Sequence, residues 1–138
     1  MENWGEIELQ KIEDGDDLWV LFDELVDDKS GFFFNRSTII ESYKDGNLYG
    51  LYVNENQFMF DNRIRGHKLF ARDYGGCLSW YLLPCFCIKE NDKCIILWVH
   101  SRARRKGFGT KLVKLLNIKE ICTPLPESLP FWKACNLI

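Results

Sequence analysis

The chain has 138 residues, 46% of them hydrophobic and 14% aromatic, and a formal net charge of -2. Such a length makes a single domain that can bury a real core, and the apolar content excludes a disordered chain. No apolar run of about 18 residues occurs and the acidic start, Met1-Glu2-Asn3-Trp4-Gly5-Glu6, lacks the apolar stretch of a signal peptide, so neither a membrane span nor secretion is expected; a cytoplasmic protein is.

In chain order, Glu6 to Ile12 alternates apolar and polar residues with period two and reads as a strand. Asp16 or Asp17 can cap a helix through about Val26, with Leu18, Leu21, Phe22 and Leu25 on one face. Thr38-x-x-Glu41 fits a capping box for a second short helix, and Gly46 suits its end. Leu48 to Val53 is a strand, closed by Asn54-Glu55-Asn56. Phe58 to Phe60 is a candidate extra strand, and Ile64 to Gly76 reads as a loop. Leu78 to Lys89 is a long strand whose Pro84 demands a bulge or an edge. Glu90-Asn91-Asp92 turns the chain into a strand from Cys94 to His100. A helix follows over about 107–116, then a short strand over about Lys119 to Cys122 and a last helix over about Ser128 to Asn136.

Charge is unevenly spread. Residues 1–28 carry eleven acids and one base, which leaves nine acids and seventeen bases for the remainder. Solvated helix and strand faces would explain this, as would a basic cofactor side opposite an acidic substrate side. The six cysteines, Cys77, Cys85, Cys87, Cys94, Cys122 and Cys135, form no C-x-x-C and mostly lie in apolar runs. Reduced, buried thiols are therefore expected rather than disulfides or zinc, and no metal ligand set is read.

The most informative stretch runs from Ile95 to Thr110. An apolar strand, Ile95-Ile96-Leu97-Trp98-Val99, leads into the basic turn Arg102-Ala103-Arg104-Arg105-Lys106-Gly107-Phe108-Gly109, which opens a helix. Backbone N–H groups at a helix start, the helix dipole and three cations suit an anion such as pyrophosphate, and Gly107 and Gly109 keep Cβ atoms out of its way. A Walker loop is excluded because Gly109-Thr110 lacks the lysine in place. A dinucleotide loop is excluded because its third glycine would fall at Leu112.

Arg104-x-x-Gly107-x-Gly109 resembles the [RQ]-x-x-G-x-[GA] signature of the GNAT superfamily, the acetyl-CoA-dependent N-acetyltransferases. Val99 to Gly109 resembles that family's usual V-H-P-x-Y-R-G-K-G-I-G, with Ser101 and Ala103 in place of Pro and Tyr. Downstream, Ser128-x-x-Phe131-Trp132 resembles its later S-x-x-F-[YW] helix. The likeness is specific over about residues 94–137. It implies an α/β fold, a twisted mixed sheet with helices on both faces. The family's final β-hairpin is expected to be missing after Ile138, leaving the fifth-strand edge to a second copy of the chain, to a partner, or, the strand being short, to solvent.

The resemblance further implies acetyl-CoA as cosubstrate. Backbone groups at Leu97, Trp98 and Val99 would hold the pantetheine. Arg104, Arg105, Lys106, Gly107, Phe108, Gly109 and Thr110 would hold the pyrophosphate, and Ser128 and Trp132 would add contacts. An amine would attack the thioester directly; protein lysine, polyamine and small amine all remain open. The fourth strand carries no Glu where many relatives have one, and Trp132 stands where many have a Tyr acid. His100 is then the candidate base. Glu120 and Tyr81 are alternatives, and Cys135 is a candidate nucleophile more simply read as a packed thiol. Two competing readings are a CoA-binding interaction module without turnover and a nucleic-acid contact through Arg102, Arg104, Arg105, Lys106, Trp98 and Phe108. The overall acidity weighs against nucleic acid.

Overall fold

The computed structural model describes residues 7–28, 35–54, 67–68, 80–104, 107–122 and 128–137. In chain order the elements are β1 (Ile7–Lys11), α1 (Gly15–Asp27), α2 (Arg36–Asp45), β2 (Leu48–Asn54), β3 (His67–Lys68), β4 (Trp80–Leu82), β5 (Cys85–Glu90), β6 (Lys93–Val99), a 3-10 turn (Ser101–Ala103), α3 (Phe108–Leu115), β7 (Glu120–Ile121) and α4 (Leu129–Ala134). The strands form one mixed sheet in the order β3-β4-β2-β5-β6-β7, with β1 pairing β2. Every pairing is antiparallel except β6 with β7.

The long strand expected over 78–89 is two strands. Proline has no N–H to give a ladder. At Pro84 the chain makes a tight turn in which the Cys85 N–H donates to the Leu83 carbonyl at 2.8 Å. β4 and β5 then take successive stretches of one β2 edge: Tyr52 to Asn54 face β4, and Leu48 and Tyr49 face β5. His67 and Lys68, expected in a loop, pair with Leu82 and Tyr81. The candidate strand Phe58 to Phe60 lies outside the described residues.

Strand alternation sorts the side chains onto two faces. Leu48, Tyr52, Phe86, Ile88 and Trp98 pack with Leu18, Leu21, Phe22 and Leu25 of α1 and Ile39 of α2. Leu51, Cys85, Cys87 and Cys94 pack with Phe108, Leu112 and Val113 of α3 and Trp132 of α4. Helices therefore cover both faces, the expected α/β layering.

Helix ends explain most of the boundary shifts. Asp14, rather than Asp16 or Asp17, caps α1, its side chain accepting from the Asp16 N–H. Asn35, upstream of the Thr38 capping box, caps α2 by accepting from the Ser37 N–H. Three helices end on a left-handed residue: Gly46 (φ 75°), Asn117 (φ 55°) and Asn136 (φ 60°). In each the following N–H bonds back five residues, from Asn47 to Ser42, Ile118 to Val113 and Leu137 to Trp132.

Candidate functional site

Two features converge at the carboxyl end of β6. The first is a parting of strands. β7 runs parallel to β6, but the pairing covers only Lys93 with Glu120 and Cys94 with Ile121. The Cys122 N–H donates to the Cys94 carbonyl at 2.9 Å, and no pairing follows among the described residues. From Ile96 to Val99, β6 stays paired with β5 on its other side. Ligands of open α/β sheets gather where the carboxyl ends of parallel strands diverge.

The turn into α3 stands at that end. Gly107 is the N-cap residue, exposed and left-handed at φ 85°. A Cβ built there meets nothing within 4 Å. Gly109 has a different job. Its Cβ would sit 3.1 and 3.2 Å from two Phe131 ring carbons, so the missing side chain makes room for α4 against α3. Phe108, Leu112, Val113 and Leu116 bury one stripe of α3 and fix the turn on the sheet.

The remaining residues expected around a cofactor divide. Thr110 is exposed in the first turn of α3. Arg104 is exposed and turns its Nε back to the Val99 carbonyl at 3.4 Å, a long contact. Arg105 and Lys106 lie outside the described residues. Leu97 and Val99 are half-buried on the α3 face, whereas the Trp98 ring is buried on the α1 face. Ser128 caps α4 without a side-chain capping bond, and Trp132 is a core residue at 6% exposure. Of the alternatives, Glu120 is exposed on β7, Tyr81 pairs with Val53 and Lys68 on β4, and Cys135 is half-buried beside the α3 core.

The second feature is a buried polar cluster that the sequence reading did not foresee beyond His100. The core-facing side of α1 carries two buried acids, Asp17 and Glu24, and its C-cap residue Asp28 is a third, each no more than 3% exposed. Tyr52 donates its hydroxyl to Asp17 at 3.0 Å. Asp28 accepts from the Trp98 indole N–H at 3.1 Å, from the Ser101 hydroxyl at 3.1 Å and from the Ser101 N–H at 3.3 Å. His100 is itself buried, with Nε2 2.8 Å from Asp27 Oδ2. The His100 backbone N–H donates to the Pro84 carbonyl at 2.9 Å, which holds the residue at the strand end. Glu24, Asp27 and His100 each present a ligand atom within 4.8 Å of the others. Two carboxylates and an imidazole at that spacing suit a metal ion or an ammonium group alike. The spacing of the acids in α1, at 17, 24 and 28, is helical and was readable; that they face inward was not.

Three of the five described cysteines, Cys85, Cys87 and Cys94, are buried, and all five are free thiols. Burial pushes the Cys85 thiol up to about 12. Cys87 and Cys94 lie Sγ to Sγ at 3.7 Å. Their contact, in which either sulfur can donate, and burial hold the Cys87 thiol up, while the same contact lowers Cys94 against the effect of its burial.

No protein-family model, no curated protein and no solved structure matches the chain.

Proposed function

We propose that the chain is an acetyl-CoA-dependent N-acetyltransferase of the GNAT type, acting on a cationic or lysine-like primary amine. The observation that carries the reading is the parting of β6 from β7 beside the left-handed Gly107 turn at the start of α3. A pantetheine arm fits alongside a strand edge that no other described residue pairs with, and the first turn of a helix offers N–H groups without partners inside the helix. The amine attacks the thioester carbonyl and the CoA thiolate leaves. The protein's share is orientation and a donor for the developing oxyanion.

The acids of α1 support a cationic acceptor. Asp17, Glu24, Asp27 and Asp28 set a negative field on the α1 side of the sheet, opposite the α3 turn. His100, paired with Asp27, is the candidate proton acceptor. Leu97 and His100 are three residues apart, roughly 10 Å along a strand, so a proton released near Leu97 would reach the imidazole through water.

Calorimetric titration with CoA tests the cofactor half. Gly107→Asp adds a like charge where the pyrophosphate would bind, and at least a tenfold loss of affinity is expected. Wild-type affinity in a folded Gly107→Asp protein would overturn the placement. Turnover of acetyl-CoA with lysine-like and neutral amines tests the other half, and a preference for neutral amines would count against it.

One observation favours the module without turnover. Trp132 is packed in the core and has no hydroxyl to protonate a thiolate, and β6 carries no carboxylate. Thermal stabilisation by CoA with no turnover on any amine would select that reading.

A further inference from the structure

We infer that Cys87 and Cys94 are a paired oxidation site, which hydrogen peroxide converts to a disulfide across the β5–β6 hairpin. The two residues are 1% and 2% exposed on the α3 face of adjacent antiparallel strands, with their sulfurs 3.7 Å apart. A disulfide needs about 2.05 Å, so the sulfurs must close by roughly 1.6 Å. The backbone has a place to give. The pairing jumps from Ile88↔Ile96 to Lys89↔Cys94, leaving Ile95 as an extra residue beside Cys94.

The two sulfurs share one S–H···S contact in which either can be the donor. The Cys94 thiol is lowered by that contact against the effect of its burial, which favours the thiolate, the nucleophilic form. Cys94 stands at the last rung that joins β6 to β7 among the described residues. The Cys94 sulfur attacks one peroxide oxygen, the O–O bond breaks, and a sulfenic acid and hydroxide form. The Cys87 sulfur, losing its proton to that hydroxide, then attacks the Cys94 sulfur. The S–O bond breaks, the S–S bond forms, and the hydroxide released takes up the remaining proton. In sum, two thiols and one peroxide give one disulfide and two waters. Cys85, on the same face, has no sulfur partner among the described residues and should stay a thiol.

The inference does not depend on the acetyltransferase reading, and its test needs no substrate. The folded full-length chain is treated with hydrogen peroxide, its remaining thiols are blocked in denaturant, and the unreduced protein is digested and mapped. A reductant-sensitive cross-link joining Cys87 to Cys94 is expected, with loss of two hydrogen atoms in mass. Cys85→Ala should retain the cross-link and Cys87→Ala should abolish it. Exposed Cys122 reports that oxidant was present. Oxidation at Cys122 while Cys87 and Cys94 remain separate thiols would overturn the inference, as would Cys94 cross-linked to another cysteine.

Discussion

Gly107 and Gly109 stand two residues apart and answer to different physics. At Gly107 the constraint is the backbone itself, with φ at 85° and open space where a Cβ would go. Gly107→Ala should cost about 1 kcal/mol through left-handed strain alone. At Gly109 the constraint is the Phe131 ring, 3.1 Å from the missing Cβ. Gly109→Ala should cost about 1–3 kcal/mol through overpacking. Phe131→Leu in the same chain should recover part of that cost, while doing nothing for Gly107→Ala. Urea unfolding of the two single and two double variants checks this; equal rescue of both glycine variants would sink it. Cys85 makes a residue-scale prediction in pH. Its thiol is pushed up to about 12 in the fold, from 9.0 unperturbed. Below pH 9 both folded and unfolded chains keep the proton, so nothing changes. Between about 9 and 12 only the unfolded chain ionises, and stability falls with rising pH. The three-unit difference sets an upper bound of about 4 kcal/mol. Cys85→Ala should flatten the decline in the urea midpoint over that range, and an unchanged slope would refute the assignment.

Among elements, the contact that decides the site is α1 on the end of β6. Asp28 takes three hydrogen bonds from Trp98 and Ser101, all from more than 65 residues away. Asp28→Ala leaves the indole N–H and the Ser101 groups to find other partners in a buried place, at about 3 kcal/mol. Asp23→Ala, on the exposed side of the same helix, should change stability by less than about 0.5 kcal/mol. Similar losses for the two variants would show that the clamp contributes little. This contact marks the boundary of what the sequence discloses. The apolar stripe Leu18, Leu21, Phe22 and Leu25 is legible because period and hydrophobicity suffice to place it. The inward turn of Asp17, Glu24 and Asp28 is not, because a buried acid is recognisable only with its partners, and Tyr52, Trp98 and Ser101 lie on other elements. Gly46 was legible as a helix end from its residue type. Asn117 and Asn136 perform the same role, yet asparagine is less selective for left-handed backbone and gives no comparable signal. The β6–α3–β7 unit was foreseen from the strand, glycine turn and amphipathic helix in succession; the extent to which β7 pairs was not, since two ladder rungs leave no pattern.

For the whole molecule, the uneven charge becomes a matter of sides. Residues 1–28 hold eleven of the acids, and five of them, Asp16, Asp17, Asp23, Glu24 and Asp27, lie on α1 along one face of the sheet. A cationic acceptor drawn by that field should lose its advantage as salt rises, because charges are screened beyond about 8 Å at physiological ionic strength. The acceptor KM should rise several-fold between low salt and roughly 0.5 M, with kcat little changed. A flat KM would remove the acidic face from the account of specificity. Among the described residues no helix is long and apolar enough to cross a membrane.

The shared edge of β2 has a consequence for how the molecule assembles. β1 lines one side of β2 from Tyr49 to Val53, and β4 and β5 divide the other. The β5–β6 hairpin closes over the two residues Asn91 and Asp92 and can form early from local contacts. β2 has no such short route. Its partners Gln10 and Ile88 are each 40 residues from the residues they face, Gly50 and Leu48, so the loop-closure entropy falls due before the pairing gains anything. Arrival of β2 on the hairpin is thus the natural rate-limiting event, and β1 can dock only on an edge that β2 has already supplied. Leu51 and Tyr52, fully buried on opposite faces of that strand, would be among the last amides to exchange with solvent and the first to report that the fold is complete.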